Sequence, residues 1–258
     1  SAIPTYMIGK ETSKYMKVAL SGDGGDEVFG GYRKYMAYRW NSLTNLLPNF
    51  LRKNLGNSLP NFKYNSFSEK VRQLKRLLLN SSSDLNKMQV SFLDQLSDLE
   101  YNELLGVKKT NLEKYVFNDV SKFDDSLNQI LARDIQFSLA GDMLVKVDRF
   151  SMRHSLEVRS PFLDKDLVNY AFSISGKEKI GFLKGKKVLR KAFADMLPEK
   201  YINLPKKGFE VPLDKWLLNE LKYLVEKSSS NKVLESLGIK NKKIIENWKN
   251  EFFGGKSD

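Results

Sequence analysis

The 258-residue chain contains no cysteine, and this absence excludes a large part of protein chemistry. Without thiols there is no disulfide framework, no cysteine-based zinc site and no catalytic thiol within these residues. The single histidine, His154, nearly excludes histidine metal sites, and a Ser-His-Asp triad could form only around it. Carboxylates, lysines and backbone amides must therefore carry any chemistry of this chain.

Long apolar runs are missing as well. No stretch of about eighteen apolar residues occurs, and the first residues lack the basic, apolar and small-residue regions of a signal peptide. We therefore expect a soluble, cytoplasmic protein that does not bind a membrane. With 41% hydrophobic residues, the chain is long enough to bury a core as one large domain or two small ones.

Basic residues outnumber acidic ones, and the formal net charge is +12. This balance favours polyanionic partners such as nucleotides, pyrophosphate or nucleic acid. The lysines, including those in residues 184–187, are dispersed in patterns typical of solvated helix faces, and no nucleic-acid motif accompanies them. Nucleic acid is therefore the less favoured partner, and a basic, non-catalytic module that binds a polyanion stays open as an alternative.

Hydrophobic periodicity predicts that this chain is predominantly α-helical with little β-structure. One convincing strand, residues 16–20, ends abruptly at a glycine-rich loop. Because a lone strand leaves its backbone groups without partners, we expect the rest of its sheet to lie outside this chain. Asp164 and Asp214 are predicted to cap the helices that follow them, and another helix is predicted over residues 186–197.

The most informative segment is residues 18–32, VALSGDGGDEVFGGY. A strand, a glycine-rich turn and a helix start expose backbone amides that suit phosphate. Asp23, Asp26 and Glu27 supply hard oxygen ligands for Mg²⁺. An ordinary strand-to-helix turn, in which the acids cap the helix, explains the same residues. Spacing alone leaves both interpretations open.

Two later segments also carry charge in an ordered pattern. Residues 142–164, DMLVKVDRFSMRHSLEVRSPFLD, mix charged and apolar positions. An internal network of ion pairs is the favoured explanation for Asp148, Arg149 and Arg159. Glu157 is more open, since a carboxylate near a site of amine transfer could serve as a base. Residues 204–213, LPKKGFEVPL, form a loop punctuated by proline.

All three segments resemble motifs of the glutamine-dependent asparagine synthetases. The first is similar to Ser-Gly-(Glu/Asp)-Gly-x-Asp-Glu-x-Phe-Gly-Gly-Tyr. The second is similar to Leu-x-Lys-x-Asp-Arg-x-Ser-Met followed by Leu-Glu-x-Arg-x-Pro-Phe-Leu-Asp, and the third to Pro-Lys-x-Gly-Phe-x-x-Pro. The resemblance predicts that residues 1–258 are the C-terminal portion of a synthetase domain, with a motif-bearing core over 1–217 and a helical tail over 218–258.

The resemblance implies an α/β parent fold of the adenine-nucleotide α-hydrolase-like, PP-loop ATPase type. Such a domain activates a carboxylate with ATP and Mg²⁺, giving an acyl-AMP and pyrophosphate, after which ammonia displaces AMP. Aspartate is the default substrate; a sugar-linked carboxylate from surface-polysaccharide synthesis is an alternative. A thiolating, tRNA-modifying nucleotide hydrolase is disfavoured because its chemistry usually recruits cysteine. The resemblance leaves a homodimer open.

Carried over position by position, the resemblance implies that Ser21 and Gly22 contact the AMP portion, Asp26 ligates Mg²⁺ and Lys206 meets pyrophosphate. Asp23 stands where the best-known members have a glutamate that assists amine attack. This shorter carboxylate bears on the substrate more than on the reaction type. It also argues against β-lactam ring closure, for which related enzymes use a tyrosine at this position.

Two parts of the family pattern are absent from the chain. The glutaminase half begins with a catalytic cysteine, and the pyrophosphate loop reads Ser-Gly-Gly-x-Asp-Ser; neither is found here. We expect both to lie upstream in the native gene product, so that ammonia comes from a glutaminase domain outside this chain. The chain alone is accordingly expected to be inactive.

Overall fold

The computed structural model describes residues 1–59, 71, 74–75, 77–79, 87–90, 96, 98–108, 110, 120, 122–204 and 211–254. It divides the chain into two compact units. Unit 1 comprises residues 1–48, 81–89 and 113–210, and unit 2 comprises residues 49–80, 90–112 and 211–258. The described residues are mostly helical, which confirms the predicted secondary-structure content.

The elements follow one another along the chain as helices interrupted by two short strands, a π-helix and a 3₁₀ turn. They are α1 (Ala2–Thr12), β1 (Val18–Leu20), α2 (Gly25–Phe29), α3 (Arg33–Thr44), α4 (Asn49–Ser58), α5 (Asp98–Leu105), α6 (Ser126–Asp134), the π-helix (Ile135–Met143), α7 (Leu144–Met152), β2 (Glu157–Arg159), the 3₁₀ turn (Pro161–Leu163), α8 (Lys165–Ser173), α9 (Gly176–Lys179), α10 (Lys187–Ala192), α11 (Glu199–Ile202), α12 (Leu213–Leu218), α13 (Lys222–Ser228), α14 (Asn231–Ser236) and α15 (Lys242–Phe253).

Strand β1 pairs in parallel with β2, a partner that the sequence did not predict. Val18 lies opposite Glu157, and Leu20 lies opposite Arg159. The expectation that every partner of β1 lies outside the chain was therefore wrong for one side of the strand. β2 was missed because it is short and two of its three residues are charged, although apolar and polar positions alternate along it.

A small apolar core in unit 1 holds α2, the helix that follows the glycine-rich loop. Val28 and Phe29 of α2 are buried together with Ala171 of α8, and Phe162 and Leu167 pack against them. Apolar contacts therefore fix the position of the short helix α2, and with it the C-terminal end of the loop that precedes α2.

Of three predictions about helix ends made from the sequence, one agrees with the structure and two do not. The Asp164 carboxylate accepts hydrogen bonds from the amides of Asp166 and Leu167, which confirms the predicted cap of α8. Asp214 lies inside α12, whose N-cap is Pro212, so that prediction was wrong. The helix predicted over 186–197 ends at Ala192 as α10 and continues as turns.

Unit 2 contains α4, α5 and α12–α15. The amide of Lys240 donates to the carbonyl of Leu104 at 2.8 Å, which ties the segment before α15 to the end of α5. Lys242 pairs with Glu235 at 2.6 Å on the surface. Among the residues described, no helix is long and apolar enough to cross a membrane.

Lys179, the last residue of α9, is completely buried in unit 1. Its Nζ donates to the carbonyl of Ala171 at 2.9 Å and lies 4.4 Å from the centre of the Phe172 ring. Burial lowers the pKa of the Lys179 ammonium from 10.5 to about 8, and the charge of the Asp125 carboxylate opposes this lowering. The folded protein therefore carries an unfavourable buried charge at neutral pH.

We predict that this lysine makes stability rise with pH. Between pH 8 and 10.5 the unfolded chain holds the Lys179 proton while the folded chain releases it, so the free energy of unfolding increases with pH. From pH 7 to 9.5 the gain should be on the order of 2 kcal/mol. Urea unfolding followed at several pH values should show this slope in the wild type, and Lys179→Met should abolish it.

Lys177→Met, at an exposed neighbouring position, is the matched control and should keep the slope. The series ends at pH 9.5 because burial raises the pKa of Tyr35 and Tyr38, whose ionisation in the unfolded chain reverses the trend at higher pH. Parallel pH profiles for the wild type and Lys179→Met would contradict the prediction.

Candidate active site

Two serines lie side by side at the carboxyl ends of the parallel strands. Ser21 directly follows β1 and Ser160 directly follows β2, and their hydroxyl oxygens are 3.1 Å apart. The Ser21 hydroxyl donates to the Asp23 carboxylate at 2.8 Å, and the Ser21 amide donates to the carbonyl of Arg159. Because ligands of open α/β sheets bind beyond the carboxyl ends of the strands, this cluster is a candidate ligand site.

The glycine-rich loop uses several of its own backbone amides. Besides Ser21, the amide of Asp23 donates to the Ser21 hydroxyl at 3.3 Å, and the amide of Gly25 donates to the carbonyl of Gly22 at 3.2 Å. Gly24 has φ +82°, a left-handed conformation that favours glycine. Some of the backbone amides that were predicted to bind an anion therefore already donate hydrogen bonds that shape the loop.

Asp26 lies in the first turn of α2, directly after the loop, and its carboxylate pairs with Lys186 at 2.7 Å. Its side chain is 14% exposed. In the described part of the chain, no three acidic or histidine side chains gather around one point to form a metal cage. Magnesium in nucleotide sites is commonly held by one or two carboxylates together with phosphate oxygens and water. The contact with the Lys186 ammonium shows that a positive charge can lie against the Asp26 carboxylate. Asp26 is therefore suited to supply one carboxylate ligand to Mg²⁺ in a site of that kind.

The carboxylates next to Asp26 belong to the interior. Glu27 is buried and accepts a hydrogen bond from the Tyr32 hydroxyl at 2.7 Å. Burial raises the pKa of the Glu27 carboxyl, and the bond from Tyr32 opposes the rise. Buried Asp134 accepts from the Tyr35 hydroxyl and pairs with Lys34, each at 2.6 Å. Of the three acids in the loop, Glu27 is thus engaged in structure.

The structure does not bring Glu157 to this cluster. Glu157 begins β2, at the end of the strand opposite Ser160, and its exposed carboxylate accepts a hydrogen bond from the guanidinium of Arg159 at 2.8 Å. The internal network expected for Asp148, Arg149 and Arg159 was wrong, because all three are exposed. Asp148 and Arg149 form no ion pair with the described residues, and Arg159 pairs with Glu157 at the surface. Those positions of the second motif therefore face solvent.

Sequence reasoning missed two members of the site. Ser160 had a usable signal, since it follows an alternating strand and precedes a proline. No sequence signal marked Lys186, because it belongs to a lysine-rich stretch that is typical of a solvated helix face. The predicted pyrophosphate residue, Lys206, lies outside the described residues, as does its neighbour Lys207.

A family model described as asparagine synthase matches residues 1–258. The chain belongs to the asparagine synthase family. The predicted resemblance is thereby confirmed, and the match includes the tail, residues 218–258, where the sequence shows no motif.

Curated relatives agree with this assignment. The chain is 33% identical over 226 residues to asparagine synthetase [glutamine-hydrolyzing] 1 of Bacillus subtilis, covering 86% of this chain and 35% of that protein. It is 30% identical over 220 residues to a putative asparagine synthetase [glutamine-hydrolyzing] of Mycobacterium bovis, covering 83% and 33%. The chain thus spans about a third of the length of these relatives. No solved structure matches it.

Proposed function

We propose that the protein carrying this chain is an ATP-dependent carbon–nitrogen ligase that converts a carboxylate, aspartate by default, into an amide. The ammonia would come from glutamine, hydrolysed by a glutaminase domain outside this chain. The observation that carries the proposal is the grouping of Ser21, Asp23 and Ser160 at the carboxyl ends of two parallel strands, beside Asp26. The names of the relatives support the same reaction class.

Each residue of the cluster has a role that its position supports. Half-buried Ser21 and exposed Gly22 lie directly after β1, where they would bind the AMP portion of the nucleotide. Asp23, fixed by the Ser21 hydroxyl, would orient the attacking amine and receive its proton. The Ser160 hydroxyl would fix Ser21 from the neighbouring strand. Glu157 stays a candidate base from the sequence pattern, and in the structure it pairs with Arg159 at the other end of β2.

Asp26 is the residue that would hold Mg²⁺. When bound, the metal would neutralise phosphate charge as pyrophosphate leaves. Lys206 would add a second positive charge at the pyrophosphate. Both contributions act on charge that develops during the reaction, which is where fixed electrostatic groups accelerate it most.

The exposed strand pair supports an α/β parent fold. Val18 is 41% exposed and Leu20 is 73% exposed, although parallel sheets normally have both faces covered. Apolar residues on a parallel strand are therefore expected to pack against segments of the parent that this chain does not include. In an α/β fold, helices that flank the sheet supply that cover.

The full-length protein provides the test of the proposed reaction. With ATP, Mg²⁺, aspartate and ammonium, we expect asparagine, AMP and pyrophosphate in equal amounts, and glutamine should replace ammonium. Omitting the carboxylate is the control and should stop AMP formation. If aspartate is not amidated while sugar-linked carboxylates are, the substrate is a sugar-linked carboxylate. The shorter carboxylate of Asp23 is then associated with the family members that act in polysaccharide synthesis. Salt-sensitive nucleic-acid binding without any nucleotide consumption would instead favour the polyanion-binding module.

A further inference from the structure

Lys186 lies in direct contact with the predicted magnesium ligand. Its Nζ is 2.7 Å from the Asp26 carboxylate, and the two side chains are 30% and 14% exposed. The pair is therefore partly shielded from water but still open to a ligand that approaches from solvent. The roles proposed above make no use of Lys186.

The backbone at Lys186 is held in an unusual conformation. The residue has φ 54° and ψ 35°, in the left-handed region, where side chains other than those of glycine, asparagine and aspartate are uncommon. The turn that imposes it is fixed from two sides. The Arg190 guanidinium donates to the carbonyl of Gly185 at 3.1 Å, and the amide of Gly181 donates to the carbonyl of Lys184 at 2.9 Å. Strain of this kind concentrates at functional sites.

The turn is also packed against the end of the glycine-rich motif. A Cβ atom at Gly185 would collide with the carbonyl of Gly30, and one at Gly31 would collide with the Asp26 carboxylate and with the Lys186 side chain. Glycines at positions 31 and 185 therefore let the two loops approach closely enough for the ion pair to form. The conformation of the turn directs the ammonium of Lys186 onto Asp26.

A lysine in this position competes with a metal for the same carboxylate. Divalent metal binding at Asp26 has to displace the ammonium, and the ammonium has to find another anion nearby. A phosphate chain delivered with the metal supplies that anion, because three N–H donors of a lysine suit phosphate oxygens. Without nucleotide, displacement of Lys186 from Asp26 has no such compensation.

We propose that Lys186 is the counter-ion of Asp26 in the nucleotide-free protein and a phosphate-binding residue in the nucleotide-bound protein. This inference rests on the proposed function, since it assumes that ATP and Mg²⁺ bind beside Asp26. In this role, Lys186 weakens the binding of metal alone and strengthens the binding of metal together with nucleotide.

The test measures two affinities of the full-length protein. One probe is Mn²⁺ alone, followed by electron paramagnetic resonance. The other is Mg²⁺ with α,β-methylene-ATP, which cannot transfer its AMP portion to a substrate. Lys186→Asn removes the ammonium and tolerates the left-handed backbone. We expect Mn²⁺ to bind about tenfold more tightly to this variant and the nucleotide about tenfold more weakly, because one charge-assisted contact is lost in each case.

Two further variants keep the test decisive. Lys186→Gly also fits the left-handed backbone and should reproduce both changes, whereas Lys186→Arg should restore nucleotide affinity at least in part. Lys187→Met is the matched control, because the Lys187 ammonium donates to the carbonyl of Lys177 and does not reach Asp26 in the described contacts. It should leave both affinities unchanged.

The outcomes separate the inference from the proposed function. If the wild type binds the nucleotide and removal of the Lys186 ammonium changes both affinities in the same direction, or neither of them, the inference is overturned while the proposed function stands. If the wild type does not bind the nucleotide at all, both fail together. Opposite changes in the two affinities support the inference, since a merely structural role of Lys186 would not produce them.

Discussion

Asp26→Asn in the full-length protein is expected to abolish ATP–pyrophosphate exchange while leaving glutamine hydrolysis close to the wild-type rate. Asparagine keeps the size of the side chain but removes the charge that would hold Mg²⁺ against the phosphates. The loss should be on the order of a hundredfold to a thousandfold, as for other fixed electrostatic groups at reacting centres. Under the proposed function, glutamine hydrolysis would use a catalytic cysteine in the glutaminase domain, so it should survive this change.

Asp166→Asn is the control for Asp26→Asn. Asp166 is an exposed aspartate in the first turn of α8, and we expect its replacement to leave exchange unchanged. Thermal unfolding should accompany both measurements, because Asp26 also forms the ion pair with Lys186. An equal loss of exchange and glutamine hydrolysis in a folded Asp26→Asn protein would show that Asp26 does not act at the nucleotide site.

The sequence predicted the order of the loop but not the contacts around it. Residues 16–20 were expected to be a strand feeding a glycine-rich turn, and β1 and the turn at Gly24 have that form. Local patterns suffice there, because strand propensity and left-handed glycine conformations depend on neighbouring residues. The pairing of β1 with β2 joins residues more than a hundred positions apart, and no local pattern specifies such a contact.

The same distinction explains the successes and failures among charged residues. The cap formed by Asp164 involves amides two and three residues away, and sequence reasoning found it. The contact of Lys186 with Asp26 depends on a turn packed against a distant glycine motif, so no local pattern distinguishes Lys186 from its neighbouring lysines. Exposed Asp148 and Arg149 were misjudged because clustered charge among apolar residues also occurs on a helix face that meets solvent.

The second large effect is expected at Lys206, which the family pattern places directly after proline in Pro-Lys-x-Gly-Phe. In that pattern, a proline restricts the backbone before the lysine and a glycine permits close approach of the chain to a ligand. If the Lys206 ammonium meets pyrophosphate as charge leaves the α-phosphorus, Lys206→Ala should slow acyl-adenylate formation on the order of a hundredfold or more. The measurement is single-turnover AMP formation by the full-length protein at saturating ATP and Mg²⁺.

Lys207→Ala is the matched control for Lys206→Ala, since it removes the same ammonium one position later. The family pattern leaves that position variable, so the effect on the rate of AMP formation should be much smaller. Residues 205–210 lie outside the described part of the structure, and the choice between the two lysines rests on the motif. Saturating nucleotide separates a slower chemical step from weaker binding, because only the former then lowers the rate. A larger loss from Lys207→Ala than from Lys206→Ala would assign the pyrophosphate contact to Lys207.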